Sequence, residues 1–226
     1  MADTIGKLVL IIILVGLFSC SINQRVTGQK YFNENEFTGL EQLVTGKKNI
    51  LLDYELDGSD SKIVHFASCS QVMSMEEDSI TPHQFKLLRL LKINCKAAKI
   101  YLNSDEFFES YFPKNFSKSF VSELPAQAVP NLGGGDLTLR EGLLMGKYEK
   151  DLRFWDVSSN SFSVILTNGI EITYVILART DINSDGVEDW IVRLDWSIPQ
   201  SFGDGSDLMI LSKPSEEDNI KIHWRY

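Results

Sequence analysis

Basic residues are scarce in this chain. It has 22 lysines and arginines against 31 aspartates and glutamates, which gives a formal net charge of −9 at pH 7. Proteins that bind nucleic acids need a face rich in lysine and arginine, and no dense cluster of either occurs here. We therefore expect no nucleic-acid partner, whereas an acidic surface does suit the binding of cations.

The chain is also poor in the residues that usually carry catalysis. Its only histidines are His65, His83 and His223, and none belongs to an H-E-x-x-H zinc motif. No serine stands in a G-x-S-x-G elbow, and the three glycines at 133–135 lack the spacing of a P-loop or a dinucleotide-binding loop. No catalytic motif can therefore be assigned, and we expect residues 114–140 to form an irregular surface segment.

No apolar run is long enough to span a bilayer. The longest covers the 11 residues 8–18, whereas a transmembrane helix needs about 20. Lys7 precedes this run, and small residues follow it, which is the layout of a secretory signal. Its end, Leu17-Phe18-Ser19-Cys20, resembles the lipobox of bacterial lipoproteins. An ordinary signal peptide cut nearby and an uncleaved anchor are the alternatives.

The lipobox resemblance implies an address and a membrane partner. Residues 1–19 would be removed as a signal peptide, and Cys20 would carry the lipid. Ser21, in place of an aspartate, implies export to the outer membrane of a Gram-negative bacterium, with the protein facing the periplasm; if the lipobox is not used, the protein would be secreted. Residues 20–48 are polar and poorly periodic, so we expect them to form a tether to a single domain at 49–226.

Cysteine is rare, with three in the chain. If Cys20 is lipidated, Cys69 and Cys95 remain as an even pair in an oxidising compartment, where a disulfide is the default expectation. Two buried free thiols are the alternative.

The most specific chemical pattern is D-I-N-S-D-G-V-E-D at residues 181–189. Calcium takes six to eight oxygen ligands, so a short, sharply turning segment must bring carboxylate, amide and carbonyl oxygens together. Gly186 permits the bend, and we expect Glu188 to face water. The predicted ligands of a structural calcium ion are Asp181, Asn183, Asp185, the carbonyl of Val187, and Asp189. The alternative is a polar hairpin loop, because these residue types also favour turns.

The loop resembles the nine-residue calcium loop of FG-GAP repeats, in which an aspartate at the ninth position replaces the glutamate of an EF-hand. The EF-hand glutamate position is Val192 here, and the loop occurs once, so the propeller fold of FG-GAP proteins does not carry over. The segment 175–213 also resembles a group of uncharacterised bacterial exported proteins that carry a D-x-N-x-D-G-x-E-D loop. That resemblance implies no activity.

Hydrophobic patterns predict an α+β domain with an antiparallel sheet and helices packed on one face. Strands at 49–56 and 62–68 flank a turn at 57–60, and residues 71–80 have no regular pattern. A helix begins at Thr81 and Pro82, and its apolar stripe at helical spacing consists of Phe85, Leu88, Leu91, Cys95 and Ala98. Ser104 is the expected cap of a shorter helix at 104–112. The last third is predicted to be β-rich, with turns at 168–169 and 204–207 and a final strand at 220–226.

Two functions are compatible with these patterns. The first is a lipid-anchored binding or structural protein of the cell envelope, with an unidentified protein partner and a calcium-stabilised strand–loop–strand. The second is an exported hydrolase whose active site is assembled from distant residues.

Overall fold

A computed structural model of the chain describes residues 27–37, 40–42, 50–201 and 203–226. The predicted signal peptide at 1–19 and the predicted lipid attachment residue Cys20 lie outside these ranges, as does most of the predicted tether. In the part of the chain that the structure describes, no helix has both the length and the apolar composition needed to cross a bilayer.

The described elements follow one another in chain order. The strands are β1 (Tyr31–Phe32), β2 (Leu40–Gln42), β3 (Leu51–Asp57), β4 (Ile63–Ser68), β5 (Arg153–Ser158), β6 (Ser161–Ile165), β7 (Glu171–Thr180), β8 (Asp189–Ser197), β9 (Asp204–Ser212) and β10 (Lys221–Arg225). The α-helices are α1 (Cys69–Ser74), α2 (Phe85–Leu102), α3 (Lys118–Glu123), α4 (Asp136–Leu139) and α5 (Met145–Tyr148). The last third of the chain is β-rich, as predicted.

The strands form two antiparallel sheets. A seven-stranded sheet has the order β10-β9-β8-β7-β6-β5, and β1 pairs with β7 beyond the end of β6. A three-stranded sheet has the order β2-β3-β4. Together with the helices, these sheets confirm the predicted α+β class.

The large sheet has an apolar core on each face. On the first face, Ile172 and Tyr174 of β7 join a core that also contains residues of α3 and α5. On the second face, Val175 and Leu177 of the same strand join a core with α2 and the small sheet. Because strand side chains alternate between faces, β7 is buried on both sides and apolar along most of its length. Helices α1 and α2 therefore pack on the second face, and α3 and α5 pack on the first, so the helices are not confined to one face as predicted.

The helix predicted at Thr81 and Pro82 is present. A 3₁₀ turn (Pro82–Gln84) leads into α2, which runs to Leu102. The predicted apolar stripe is core, and its buried members are Leu88, Leu91, Cys95 and Ala98.

Two hairpin turns are confirmed and a third is wrong. The turn at 57–60 joins β3 to β4, and Gly169 has the positive φ of 84° that the β6–β7 turn requires. Residues 204–207 lie inside β9 instead of forming a turn. The chain turns earlier, where the Ile198 N–H donates to the Gly203 carbonyl at 2.8 Å. The acidic residues of β9 are accommodated by ion pairs, such as that of Asp207 with Arg225.

The helix predicted for residues 104–112 is wrong. This segment is extended, and its backbone forms bridges between Asp105 and Asp181 and between Phe107 and Gln29. Ser104, expected to cap a helix, instead shares a hydrogen bond with the Thr180 hydroxyl at 2.6 Å. The backbone groups are satisfied by distant segments, and these partners replace the bonds of a local helix.

Residues 114–140 are more regular than expected, because they contain α3 and α4. The Ser117 side chain accepts a hydrogen bond from the Phe120 N–H at 3.1 Å and so caps α3. Phe120 and Val121 then point into the first core. Helix α1 likewise occupies part of a stretch expected to be irregular, residues 71–80.

The structure joins Cys69 and Cys95 in a disulfide. Cys69 is the first residue of α1 and Cys95 lies on α2, 26 positions later, with 5.3 Å between the two Cα atoms. Both cysteines are buried, so the bridge ties the end of the small sheet to the long helix within the second core.

Part of the interval expected to be a tether belongs to the folded body. β1 pairs with β7, and the Asn33 side-chain amide donates to the Ile176 carbonyl at 3.2 Å. Phe37 is buried in the second core. Residues 27–37 are therefore packed structure, and the predicted boundary at residue 49 is too late.

Candidate metal centre in the β7–β8 loop

The loop at 181–188 joins the two central strands of the large sheet. β7 ends at Thr180, β8 begins at Asp189, and these two residues are directly paired. The predicted placement between two antiparallel strands is thus confirmed. Ser184 and Gly186 have φ values of 62° and 83°, so the chain reverses through two residues in the left-handed region, and Gly186 takes the bend expected of it.

The predicted ligand side chains bind the backbone of their own loop. Both oxygens of Asp181 accept hydrogen bonds, one from the Asp185 N–H at 3.2 Å and one from the Gly186 N–H at 2.6 Å. Asp185 accepts from the Val187 N–H at 2.8 Å, and Asp189 accepts from the Ile182 N–H at 2.9 Å. Asp185 makes the two-residue contact of an Asx turn, whereas Asp181 and Asp189 accept from N–H groups four, five and seven positions away and so join the two ends of the loop.

Asn183 links two members of the predicted set. Its Oδ1 accepts from the Asp185 N–H at 3.0 Å, and its Nδ2 donates to Asp185 Oδ2 at 2.9 Å. Asp181, Asn183 and Asp185 are therefore brought together by hydrogen bonds, while Asp189 closes the loop from its other end.

The three aspartates of the loop region have no cationic partner among the described residues. Asp181 is 2% exposed and Asp189 is 3% exposed. Among the described residues, no lysine, arginine or histidine forms a salt bridge with Asp181, Asp185 or Asp189. Burial raises the pKa of Asp189, the hydrogen bond from the Ile182 N–H opposes that shift, and the carboxylates of Asp185 and Asp181 raise the pKa further. The loop thus holds negative charges that repel one another.

The predicted ligands have the right chemistry for calcium, but their side chains are not positioned around a common point. All five predicted ligands offer oxygen, which a hard cation prefers. Within residues 27–226, leaving out those the structure does not describe, no three His, Cys, Asp or Glu side chains are grouped so as to hold a metal. An ion at this site would require the carboxylates to exchange some of their backbone hydrogen bonds for metal contacts.

A second segment, residues 105–109, packs against the loop through backbone hydrogen bonds, and we call it the wall. The Asp105 N–H donates to the Asp181 carbonyl at 2.7 Å, and the Phe108 N–H donates to the Gly186 carbonyl at 2.8 Å. The Ser184 hydroxyl donates to the Asp105 carboxylate at 2.6 Å. Asp105 is thus an additional carboxylate beside the loop that the sequence did not identify. No local signal could have found it, because it lies 79 positions before Ser184.

Glu188 does not face water, and that prediction is wrong. It is 4% exposed, and the Ser110 hydroxyl donates a hydrogen bond to its carboxylate. Arg179 places its Nε 4.0 Å from Glu188 Oε1, and the same guanidinium lies 5.5 Å from the centre of the Trp190 ring. Glu188 therefore connects the loop to β7 through Arg179, and to Ser110, which directly follows the wall.

The histidines lie away from the loop, and two of the three are paired with carboxylates. His65 lies 3.0 Å from Asp53, and His83 lies 3.6 Å from Asp57, both on the small sheet side of the molecule. In the described part of the chain, no serine or cysteine side chain hydrogen-bonds to a histidine. His223 is exposed on β10, as its alternation predicts.

Comparison of the chain with protein-family models, with curated proteins and with solved structures finds no match.

Proposed function

We propose that the protein is a lipid-anchored component of the bacterial cell envelope whose β7–β8 loop binds calcium as a structural ion. The observation that carries the calcium site is the pair of almost fully buried carboxylates, Asp181 and Asp189, which share one loop with Asp185 and have no cationic partner in the described part of the chain. A divalent cation would neutralise these charges, and a charge without compensation is costly to bury.

The bound ion would act on the fold and not on a substrate. Asp181, Asn183, Asp185, the Val187 carbonyl and Asp189 would supply oxygen ligands. The loop connects the two central strands, and its carbonyl groups accept the backbone N–H groups of the wall at 105–109. Fixing the loop would therefore stabilise the end of the large sheet together with this wall.

The calcium proposal predicts metal-dependent stability. For the purified full chain, we expect calcium at about a hundred times the dissociation constant to add about 2.7 kcal/mol to the free energy of unfolding, relative to excess chelator. For a protein of this length that corresponds to a rise in melting temperature of about 5 to 10 °C. The measurement is thermal unfolding followed by circular dichroism.

Two variants make this measurement specific. Asp185→Ala removes one loop carboxylate, so its melting temperature should no longer respond to calcium. Asp60→Ala removes an exposed carboxylate from the β3–β4 turn, another acidic hairpin turn, and should keep the full response. Equal melting temperatures for the parent in calcium and in chelator would reduce the loop to a hydrogen-bonded polar turn.

The anchor rests on the sequence layout alone, and it has its own test. After expression in a Gram-negative host, we expect mass spectrometry of the mature N-terminal peptide to find it beginning at a lipidated Cys20. Cys20→Ala should abolish both the lipid and the recovery of the protein with membranes. A mature chain that begins elsewhere without lipid would remove the anchor and leave the calcium site untouched.

A further inference from the structure

One face of the large sheet carries a group of mostly polar residues at one end of its strands. Strand register places a row of directly paired residues side by side across β5 to β9, and a second row lies next to it. Directly paired residues of antiparallel strands point to the same face. The first row is Trp155, Ser163, Thr173, Asp195 and Ser206, and the second is Arg153, Ile165, Glu171, Ser197 and Asp204. We name these two rows the polar platform.

The platform differs from the rest of the sheet in being polar and only partly buried. On the same face, but further along the strands, Val175, Leu177 and Leu208 are buried in the second core with α2. On the opposite face, the same strands contribute Val164 and Ile172 to the first core. Apart from Ser163, the platform side chains are half-buried or exposed, and Trp155 is 43% exposed. Helix α2 thus covers one end of this face and leaves the polar end open.

The centre of the platform is held in a fixed geometry. Asp195 accepts hydrogen bonds from Arg193 Nε at 3.0 and 2.9 Å and from the Ser206 hydroxyl at 2.6 Å. The hydroxyls of Ser163 and Thr173 share a hydrogen bond of 2.8 Å. A carboxylate has about four acceptor sites, so the half-buried Asp195 keeps capacity for a ligand. These side chains are therefore oriented before anything binds.

A cleft of about 660 Å³ lies between the platform and α2. Its volume is in the range of small-molecule binding sites. Platform residues, among them Thr173, Asp195 and Ser206, form one wall, and Leu87 and Leu90 of α2 form part of the other. The cleft therefore combines hydrogen-bonding groups with an apolar wall.

The charges of this region cancel. Arg193 pairs with Asp195, and Lys86 pairs with Asp204. The charge of the exposed Arg153 is balanced by Glu171 in the same row, so the region presents donors and acceptors of hydrogen bonds without a strong net charge. Such a surface discriminates against highly charged ligands, because they would have to compete with these ion pairs.

We propose that the polar platform binds a neutral carbohydrate chain. Five adjacent strands about 4.8 Å apart give a row about 19 Å long, which matches a short oligosaccharide. Hydroxyl and carboxylate groups along the row exchange hydrogen bonds with sugar hydroxyls, and the exposed ring of Trp155 at the edge strand offers a flat face for the apolar side of a sugar ring. This site is separate from the β7–β8 loop and does not depend on calcium.

The test is isothermal titration calorimetry of the full chain with neutral oligosaccharides, namely cellohexaose, xylohexaose and mannohexaose. An oligogalacturonate of equal length serves as the anionic probe. We expect saturable binding of at least one neutral probe and much weaker binding of the anionic probe. Failure of all three neutral probes to bind at millimolar concentration, or a preference for oligogalacturonate, would overturn the proposal.

Variants locate the binding on the platform. Trp155→Ala should weaken binding about tenfold, the equivalent of about 1.4 kcal/mol. Tyr226→Ala is the matched control, because it removes an aromatic ring that is also 43% exposed but lies outside the platform. This control variant should bind the carbohydrate as the parent does. Thr173→Val removes one hydroxyl from the centre of the row and should also weaken binding, which keeps the test decisive if one variant fails to fold. Parent-like affinity in both platform variants would place the carbohydrate elsewhere and refute the proposal.

Discussion

Replacing Arg140 by methionine is expected to lower the free energy of unfolding by about 3–5 kcal/mol. Arg140 Nη1 lies 2.7 Å from Glu149 Oε1, and both side chains are only 3% exposed. Methionine keeps much of the buried volume but removes the charge, so Glu149 would remain as a buried carboxylate without its cation. Its remaining hydrogen bond, from the Thr167 N–H at 2.9 Å, is not enough to compensate the charge. Urea unfolding at neutral pH measures the loss.

A second substitution separates the charge from the packing. Adding Glu149→Gln to Arg140→Met removes both charges and should recover a large part of the lost stability, because the cost lies mainly in the unpaired carboxylate. Lys62→Met breaks an ion pair whose side chains are 80% and 57% exposed, and it should leave the unfolding midpoint nearly unchanged. A double variant less stable than Arg140→Met alone would show that shape, and not charge, dominates at this position.

Reducing the disulfide is expected to lower stability by about 3.5 kcal/mol, since the bridge closes a loop of 26 positions and restricts the unfolded chain. In thermal unfolding, this corresponds to a fall of about 7 to 14 °C for a protein of this size. Reductant should produce the fall in the parent. The double variant Cys69→Ala/Cys95→Ala should start from the lower melting temperature and be indifferent to reductant. Alanine is preferred to serine here because both positions are buried and a serine hydroxyl would lack a partner.

An unchanged melting temperature of the parent after full reduction would contradict this account. It would mean that the packing of α1 on α2 already fixes the two cysteines. Free-thiol titration of the unfolded protein, before and after reduction, confirms that the bridge was present and then opened.

The features that the sequence predicted well are those whose causes are local. Pro82 and the stripe containing Leu88 and Leu91 specify α2 within a few turns of chain. Asn168 and Gly169 specify a hairpin because only a few residues tolerate the backbone of a tight turn. The strand–loop–strand around residues 181–189 was predictable for the same reason, because its turn-forming residues lie between two apolar runs.

The errors arose where distant partners decide the outcome. Residues 104–112 contain a capping serine and a following proline, yet their backbone bonds to Gln29, Asp181 and the loop carbonyls. Glu188 reads as an exposed loop residue, but Ser110, 78 positions away, binds its carboxylate. The alignment of Trp155, Thr173 and Asp195 in one row depends on the register of three strand pairs, and no single strand reveals it.

If Cys20 is acylated as proposed, the pairing of β1 with β7 would limit how far the protein can move from a membrane. The Gln29 N–H donates to the Phe107 carbonyl, so the chain is hydrogen-bonded to the folded body from residue 29 onward. Phe107 belongs to the wall that contacts the β7–β8 loop. With Cys20 acylated, the stretch from Cys20 to Gln29 reaches at most about 30 Å when fully extended. Under the proposed anchor, the side of the protein that carries the β7–β8 loop would therefore stay within about 30 Å of the lipid surface. A force transmitted from such an anchor would act first on the backbone hydrogen bond between Gln29 and Phe107. Through Phe108, which donates to the Gly186 carbonyl, it would then act on the β7–β8 loop.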